Sequence, residues 1–297
     1  MGRRYAPARY RELGTELRKR REAAGLTNAE LADRSGWSMS TISRIETGQL
    51  AIEPTDAIAY LGWCEIFRPY TRDMIELCRE AESARGFWLN QQDDGIEDSL
   101  RSLIYHEATA KSTTIYEPDL VHGLLQTPDY ARTRIGAERW RTKEDVDRCV
   151  QIRMDRQHIL DVRPLASFNF FLHEQVLRRE VGSAAVMHEQ LLKIVLLTAV
   201  SNVTVRVVPS AKRESFAFGG PFRVFEYAKH EPLVYLDSHA AGLFLEDGNF
   251  VEPYRDLVAA LSEVALDGGQ SRELIATMAA GYERGSERDA DHHLEEK

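Results

Sequence analysis

Histidine, cysteine and carboxylate side chains perform most acid-base, redox and metal chemistry in proteins, and in this sequence they are scattered. The three cysteines include no CxxC pair, and Glu174, Glu180 and Glu189 are most simply interpreted as exposed helix charges. No GxSxG, P-loop or HExxH motif occurs, and Gly219-Gly220-Pro221 is typical of a turn. The histidines have no spacing typical of metal ligands: His106, His158, His173, His188, His230, His239, His292 and His293. We therefore predict a protein that is not an enzyme and that binds no metal or cofactor.

The charge of the chain is unevenly distributed along its length. The net charge is -9, yet residues 1–50 contain ten basic and six acidic residues, a local charge of +4. The remaining 247 residues contain 28 basic and 41 acidic residues and sum to -13. Phosphate attracts the first part and repels the second, so only the N-terminal part is suited to approach nucleic acid.

Length and hydropathy predict two domains in a cytoplasmic protein. The 297 residues, 43% of them hydrophobic, suffice for two buried cores. No run approaches the roughly 20 apolar residues that span a bilayer, and the first residues lack the apolar core of a signal peptide. Cys64, Cys78 and Cys149 are expected to be reduced, buried thiols.

Residues 12–48 carry the start and stop signals of three short helices. A helix over residues 12–24 ends at Gly25, and Thr27-Asn28-Ala29-Glu30 is a capping box that starts the second. Gly36 ends the second helix, Ser38 caps a third over residues 39–47, and Gly48 ends it. The sequence thus predicts a tight helix pair at residues 27–48.

The spacing of small and branched residues indicates how the two helices of this pair meet. Ala32 is small enough for a close crossing, Gly36 allows the chain to reverse, and Ile42 and Ile45 anchor the second helix from below. This combination is typical of a helix-turn-helix. The alternative is an ordinary helical hairpin with no role in binding DNA.

The segments Leu26-Thr27-Asn28-Ala29-Glu30-Leu31-Ala32 and Ser40-Thr41-Ile42-Ser43-Arg44-Ile45-Glu46-Thr47-Gly48 resemble the Cro/cI (Xre) family of phage-repressor-like domains over residues 11–70. The resemblance implies that Met39, Ser40, Ser43 and Arg44 face base edges in the major groove. It also implies phosphate contacts from Thr27, Asn28, Ser38, Thr41 and Thr47. Arg20 belongs to a basic run that we interpret first as solvated and second as touching phosphate.

Two further expectations follow from this resemblance. Met39 stands where the family often has glutamine, which favours contact with a thymine methyl over bidentate contact with adenine. The family also pairs an arginine of the first helix with a glutamate of the third, here Arg21 and Glu46, as a structural ion pair.

Pro54 and Pro69 open two more helices, to about residues 66 and 84, which completes a lambda-repressor-like, all-α head of five helices. We assign residues 11–84 to this head, 85–98 to a linker, 99–282 to a second domain and 283–297 to a polar tail.

In the second domain, strands are predicted at 113–116, 166–172, 203–208, 222–227, 233–237 and 243–245. Helices are predicted at 96–112, 120–125, 129–139, 142–162, 183–201, 253–266 and 271–281. Consecutive strands favour an antiparallel sheet in an α+β fold.

Three stretches of the second domain, residues 116–131, 153–157 and 205–209, resemble the Xre-type regulators of actinobacteria that carry a C-terminal domain of formerly unknown function. Members are described as antitoxin-like or developmental regulators, often paired with a small protein encoded nearby. His122 stands where proline is usual. The stretch 116–131 is interpreted either as a rigid structural corner or as a groove where Tyr116, His122, Gln126 and Tyr130 contact a partner or ligand.

The sequence leaves three hypotheses open. The first is a homodimeric regulator, a repressor or autoregulator, that reads a pseudo-palindromic operator in double-stranded DNA. The second is an antitoxin-like module that binds a small protein partner. The third is a small-molecule sensor in which the second domain binds a metabolite.

Overall fold

The computed structural model describes residues 7–66, 70–83, 86–91, 96–138, 141–163, 165–211, 218–238 and 241–295. The chain separates into two compact units. Unit 1 consists of Met1–Asn90, Lys229–Leu233 and Leu243–Val251, and unit 2 of Gln91–Ala228, Val234–Gly242 and Glu252–Lys297. The first unit is therefore discontinuous in sequence.

The N-terminal part of unit 1 is helical. Its helices are α1 (Arg9–Ala23), α2 (Asn28–Ser35), α3 (Met39–Glu46), α4 (Pro54–Trp63) and α5 (Tyr70–Ser83). Apolar residues at helical spacing form one buried core, to which all five helices contribute: Leu13, Leu17, Leu31, Ile42, Ile45, Ala57, Tyr60, Leu61, Met74, Cys78 and Ala81. Ile58 of α4 lies outside this core and is 41% exposed.

Two later segments of the chain complete unit 1. The backbone amide of Ala8 donates to Glu246 Oε2 at 2.5 Å, and Arg11 Nη2 donates to the Glu231 carbonyl at 3.2 Å. The indole of Trp88 stacks on the ring of Phe244, with centroids 4.7 Å apart. The predicted division at residues 85–98 placed residues 229–233 and 243–251 in the second domain. A single boundary in the sequence cannot assign later segments of the chain to the first domain.

Seven strands form one mixed sheet with the order β1-β7-β6-β5-β2-β3-β4. The strands are β1 (Phe87–Gln91), β2 (Ser112–Glu117), β3 (Ser167–His173), β4 (Val203–Val208), β5 (Phe222–Glu226), β6 (Leu233–Asp237) and β7 (Ala241–Leu245). Strand β1 lies inside the segment predicted to be a linker.

The expectation of an antiparallel sheet is wrong for part of the sheet. Strand β2 pairs with β5 in antiparallel register, Tyr116 opposite Phe222, but pairs with β3 in parallel register, Ser112 opposite Ser167. Strands β3 and β4 are also parallel. The reason is that helices connect β2 to β3 and β3 to β4, and parallel neighbours require such long crossovers. The prediction considered only the consecutive strands late in the chain.

The remaining helices are α6 (Ile96–Thr109), α7 (Pro128–Gly136), α8 (Lys143–Gln157), α9 (Ile159–Val162), α10 (Glu174–Arg178), α11 (Ala184–Leu197), α12 (Gly248–Val264) and α13 (Gly268–Glu295). The helix predicted at 142–162 is thus two helices, and the one predicted at 120–125 is a 3₁₀ turn over Gly123–Leu125. Helix α13 runs through most of the predicted polar tail. In the core of unit 2, β3 contributes Phe168, Phe170 and Leu172, and α11 and α13 contribute Leu191, Ile194, Ile275 and Ala279.

Candidate nucleic-acid interface

Helices α2 and α3 begin at the residues that the sequence pattern indicated, and α3 ends at Glu46, one residue before its predicted end. Thr27 Oγ1 accepts a hydrogen bond from the Glu30 amide at 3.2 Å, and the Thr27 amide donates to Glu30 Oε2 at 2.7 Å. The hydrogen bonds that the Glu30 carboxylate accepts from the amide and the hydroxyl of Thr27 hold the pKa of that carboxyl below its usual range. Gly36 has φ of 72°, a left-handed conformation that favours glycine, and Ser38 Oγ accepts from the Thr41 amide at 3.0 Å. The turn between the helices is therefore defined by local chemistry.

The inner side of α3 packs directly against α1. Ile42 and Ile45 are buried in the core of unit 1. A Cβ at Gly14 would lie 2.3 Å from the Ile45 carbonyl oxygen, and one at Gly48 would lie 2.5 Å from Arg11 Cα. Only glycine permits these approaches of backbone to backbone. Sequence reasoning missed Gly14, although a glycine inside an amphipathic helix is a recognised signal of close packing.

A buried ion pair joins α1 to the end of α3. Arg21 Nε donates to Glu46 Oε1 at 2.7 Å and Arg21 Nη2 donates to Glu46 Oε2 at 2.9 Å, a bidentate geometry. Arg21 Nη1 also donates to the Leu26 carbonyl at 2.6 Å. The hydrogen bonds to Glu46 raise the pKa of the Arg21 guanidinium further. The structure thus places Arg21 and Glu46 in the contact that the resemblance implied.

Tyr60 of α4 is a third member of this pair, and sequence reasoning missed it. Its hydroxyl donates to Glu46 Oε1 at 2.5 Å, and its side chain is fully buried. Burial raises the pKa of the Tyr60 hydroxyl, and Glu46 adds to the shift. The three side chains therefore fix the orientation of α3 relative to α1 and α4.

The outer side of α3 is exposed and polar. Met39 is 57% exposed, and Ser40, Ser43 and Arg44 are exposed as well. Positions 39, 40, 43 and 44 share one helical face because a helix repeats every 3.6 residues. The guanidinium of Arg44 makes only a long hydrogen bond among the described residues, from Nε to the Ser40 carbonyl at 3.4 Å. The face offers one cation, two hydroxyls and one flexible apolar side chain.

The residues expected near phosphates lie mostly at the ends of the two helices. The hydroxyls of Ser38 and Thr41 hydrogen bond to each other at 2.8 Å, and Thr47 Oγ1 donates to the Ser43 carbonyl at 2.7 Å. The Thr27 hydroxyl donates to Glu30 Oε2. Because local acceptors occupy these hydroxyls, the first backbone amides of α2 and α3 are the groups best placed to donate to a phosphate. Asn28, the first residue of α2, is half-buried.

Arg20 lies on α1, outside the helix pair α2 and α3. Its side chain is half-buried, and Nη2 lies 3.7 Å from Glu16 Oε2. Its neighbours Arg18 and Lys19 pair with Glu22 and Glu16. Exposed ion pairs of this kind are weak, so the basic side chains can leave these glutamates and contact another negatively charged group.

The four residues proposed to contact a partner or ligand are buried in unit 2. Tyr116, His122, Gln126 and Tyr130 are each at most 3% exposed. The Val121 amide donates to the Tyr130 hydroxyl at 3.2 Å, and Gln126 Nε2 donates to the Val121 carbonyl at 2.6 Å. A contact between these side chains and a surface partner would require the corner at 116–130 to open.

Side chains from α8 and α11 hold this corner from outside. Arg153 Nη1 donates to Gln126 Oε1 at 2.6 Å, and Gln157 Nε2 donates to the carbonyls of Gly123 and Gln126 at 2.7 and 2.8 Å. Gln190 bridges the corner, since Oε1 accepts from the Thr127 amide and Nε2 donates to the Leu125 carbonyl, each at 2.8 Å. The corner is therefore an ordered, internally bonded structure. Gln190 was not predicted, because its contact lies more than 60 residues away in sequence.

His122 keeps the geometry that a proline would give at its position. Its φ of -61° lies in the range that a proline ring imposes, and its Nδ1 accepts from the Leu124 amide at 3.3 Å. Burial lowers the pKa of the His122 imidazole well below its usual value, and Arg223, Arg156 and Arg153 add to the effect. The neutral side chain thus caps the 3₁₀ turn.

Histidine, cysteine and acidic side chains lie dispersed among the residues that the structure describes. Those residues contain no group of three or more histidine, cysteine or acidic side chains arranged to hold a metal ion. Over the same residues, no helix combines the length and apolar character needed to cross a bilayer.

Comparison with known proteins places both parts of the chain. Residues 12–62 match the model described as "Helix-turn-helix domain", and residues 100–277 match "Domain of unknown function (DUF5753)". No curated protein matches the sequence significantly. A solved structure described as "Structure of TrmBL2, an archaeal chromatin protein, shows a novel mode of DNA binding" is similar with 13% identity, over 73% of this chain and 72% of that one. Its TM-score of 0.31 is too low to support an argument. Because the DUF5753 model matches more than half of the chain, the chain belongs to the DUF5753 family, and it carries an N-terminal helix-turn-helix domain.

Proposed function

We propose that this protein is a sequence-specific DNA-binding transcriptional regulator of the Cro/cI type, in which α3 enters the major groove. One observation carries the proposal: α3 is fixed on its inner side by packing and by the Arg21–Glu46 pair, and its outer side is exposed. A helix held in this way can be presented to DNA at a defined angle. The proposal is of a binding protein and includes no catalytic step.

The outer face of α3 is suited to direct reading of bases. Arg44 can donate two hydrogen bonds to O6 and N7 of a guanine, and Met39 can contact the methyl group of a thymine. Ser40 and Ser43 can donate or accept at neighbouring base edges. The amides that begin α2 and α3, together with Arg20, would contact phosphates and set the register without reading sequence.

The test compares two arginine variants on a selected operator. An operator is first enriched from random duplex DNA with the full chain, and binding is then measured by fluorescence anisotropy. Arg44→Ala is expected to reduce discrimination against a substituted guanine by about 1–3 kcal/mol, roughly 5- to 150-fold. Arg79 of α5 is also exposed, so Arg79→Ala removes the same charge elsewhere and is expected to keep the specificity.

Two outcomes would contradict this proposal. One is that Arg44→Ala binds every substituted operator as the wild type does. The other is that the affinity of the wild type does not fall as salt is raised, because phosphate binding releases counterions.

We also propose that two copies read a pseudo-palindromic operator and that binding represses transcription, including that of the chain's own gene. Unit 2 exposes large aliphatic side chains at the end of α9, in the connection from α9 to β3 and on α11: Val162 is 71%, Leu165 95% and Leu196 72% exposed. The side chain of Asn202 donates to the carbonyls of Leu160 and Arg163, which ties the segment after α11 to the end of α9. Exposed apolar groups of this size favour a protein contact, here with a second copy.

Oligomeric state tests the second proposal. The variant Leu165→Asp with Leu196→Asp is expected to sediment as a monomer and to lose affinity for a two-half-site operator while keeping affinity for a single half-site. Ile58, exposed on α4 in unit 1, supplies the control Ile58→Asp, which is expected to leave the dimer intact. A wild-type monomer, or a dimer unaffected by the double variant, would contradict the proposal.

A further inference from the structure

A small cavity opens at one end of three adjacent strands in unit 2. It has a volume of about 50 Å³ and is lined by Glu117, Pro221, Phe222, Arg223, Tyr235 and Asp237. We call it the acidic pocket. Glu117 ends β2, Phe222 and Arg223 begin β5, and Tyr235 and Asp237 lie near the end of β6, so neighbouring strands bring the lining together. The volume suffices for about three to five water molecules or for a polar group with a few carbon atoms.

The arginine of the pocket is already committed to other side chains. Arg223 Nη1 lies 3.4 Å from Glu107 Oε1, and the guanidinium carbon lies 5.1 Å from the centroid of the Tyr235 ring. Glu107 is fully buried and also lies 3.3 Å from Arg156 Nε. Glu107 therefore fixes the position of Arg223 in the wall of the pocket, and it shares its single negative charge between Arg223 and Arg156.

Of the two carboxyl groups in the pocket, Asp237 already has a donor, the Tyr235 hydroxyl, which lies 3.4 Å from Oδ1. The carboxyl group of Glu117 accepts no hydrogen bond from any described residue, although it is part of the wall. Burial raises the pKa of the Glu117 carboxyl to about 7, while the Arg223 charge acts in the opposite direction. Asp237 Oδ2 lies 4.0 Å from Arg223 Nη2, and its side chain is half exposed. The pocket therefore presents one carboxyl group that has no hydrogen-bond donor among the described residues, Glu117, beside a second that is partly bonded, Asp237.

We propose that the acidic pocket binds a small primary amine in its ammonium form. An –NH₃⁺ group has three donors and a positive charge, which match Glu117 and Asp237 together. The rings of Phe222 and Tyr235 and the ring of Pro221 supply apolar walls for a short alkyl chain. The size of the cavity favours a free small amine over the amino group of a bulky polypeptide side chain. This inference does not depend on DNA binding.

Protonation of Glu117 makes the binding depend on pH. The charged groups around Glu117 are Arg223 of β5, Asp237 of β6, Asp119 after β2 and Arg153 of α8, and the titratable hydroxyls of Tyr235 and Tyr130 also lie near it. Burial lowers the pKa of Arg153 only to about 10, so it remains charged at neutral pH. An alkylamine remains charged between pH 6 and 8, because its pKa lies near 10. Ionisation of Glu117 through a pKa of about 7 should therefore strengthen binding about tenfold from pH 6 to pH 8.

The experiment titrates the full chain with n-propylamine and follows the backbone amide signals by NMR. Saturable shifts are expected at Glu117, Arg223 and Tyr235, with affinity rising from pH 6 to pH 8. Propionate and propanol, which have the same number of carbon atoms, are expected to bind at least tenfold more weakly. An Nα-acetyl-lysine amide, which carries the same ammonium on a larger molecule, is also expected to bind more weakly.

Variants separate recognition from folding. Glu117→Gln keeps the shape and removes the charge, and it should reduce amine affinity at least tenfold and abolish the pH dependence. Its thermal unfolding without amine should equal or exceed that of the wild type, since a buried unpaired carboxyl is lost. Glu189→Gln, on the exposed face of α11, is the matched control and should bind the amine as the wild type does.

Four results would overturn the proposal. They are no saturable binding of n-propylamine, equal or tighter binding of propionate or propanol, equal or tighter binding of the lysine amide, and unchanged affinity in Glu117→Gln.

Discussion

Replacing Glu46 with alanine is expected to destabilise the helix-turn-helix rather than to change the bases that it reads. Glu46 is buried and accepts three hydrogen bonds, two from Arg21 and one from Tyr60, at 2.5 to 2.9 Å. Glu46→Ala leaves the guanidinium of Arg21 buried with one hydrogen bond, to the Leu26 carbonyl, and with the exposed Glu22 carboxylate 3.8 Å from Nη2. The hydroxyl of Tyr60 loses its acceptor as well.

The size of the effect follows from the burial of both partners. Removing one member of a buried ion pair costs about 3–5 kcal/mol, because the other charge remains desolvated. A single domain has about 5–15 kcal/mol of stability in total, so this loss is large. Each 1.4 kcal/mol is a factor of ten, so the open population of α1 and α3 should rise by roughly two to four orders of magnitude.

Amide hydrogen exchange measured by mass spectrometry reports this change locally. Peptides from α1 and α3 are expected to lose protection in Glu46→Ala, while peptides from the core strands of unit 2 keep theirs. The variant Arg21→Met with Glu46→Leu removes both charges and should recover at least about 2 kcal/mol of the loss. Arg18→Ala breaks an exposed pair with Glu22 on the same helix, leaves Arg21 and Glu46 in place, and should leave protection unchanged.

Two results would refute the reasoning. The first is a Glu46→Ala variant with wild-type protection in α1 and α3 but a relaxed base preference, which would make Glu46 a reading residue. The second is a double variant as unstable as the single one, which would show that the lost packing, and not the stranded charge, carries the cost.

Three shorter predictions concern packing, pH and thiols. Gly14→Ala should lower the free energy of unfolding of unit 1 in urea by about 1–3 kcal/mol, because the added Cβ would meet the Ile45 carbonyl. Gly62→Ala in α4 is the control: its Cβ would meet nothing within 4 Å, and the variant should stabilise unit 1 by up to about 1 kcal/mol. The depressed pKa of His122 predicts that unit 2 loses stability as pH falls below about 6.5, because the imidazole takes up a proton in the unfolded chain but not in the folded one. His122→Gln should remove this part of the pH dependence of stability. Thermal melts with the same pH dependence in the wild type and in His122→Gln would contradict the prediction. Burial raises the pKa of the Cys64 and Cys78 thiols to about 11. A thiol reagent at pH 8 should therefore react slowly with these cysteines in the native chain and fast in urea, and rapid labelling of the native chain would contradict the prediction.

The sequence by itself determined the local features of the helix-turn-helix. Thr27 with Glu30, Gly36, Ser38 and Gly48 act through hydrogen bonds and backbone angles within a few residues, and such interactions can be inferred without a fold. The exposed face of α3 follows from the same argument, since helical periodicity alone separates Ile42 and Ile45 from Arg44. Most strands were also located, because alternation and β-branched residues act along one segment.

Only the tertiary structure decided which distant groups meet. Tyr60 reaches Glu46, and Gln190 reaches the turn at Leu125, across stretches of sequence whose geometry no local pattern specifies. The parallel pairing of β2, β3 and β4 depends on helical crossovers, and the return of residues 229–233 and 243–251 to unit 1 depends on long-range contacts. The acidic pocket is of the same kind. Its carboxylates lie 120 residues apart in the chain, and they share one cavity because three neighbouring strands end there.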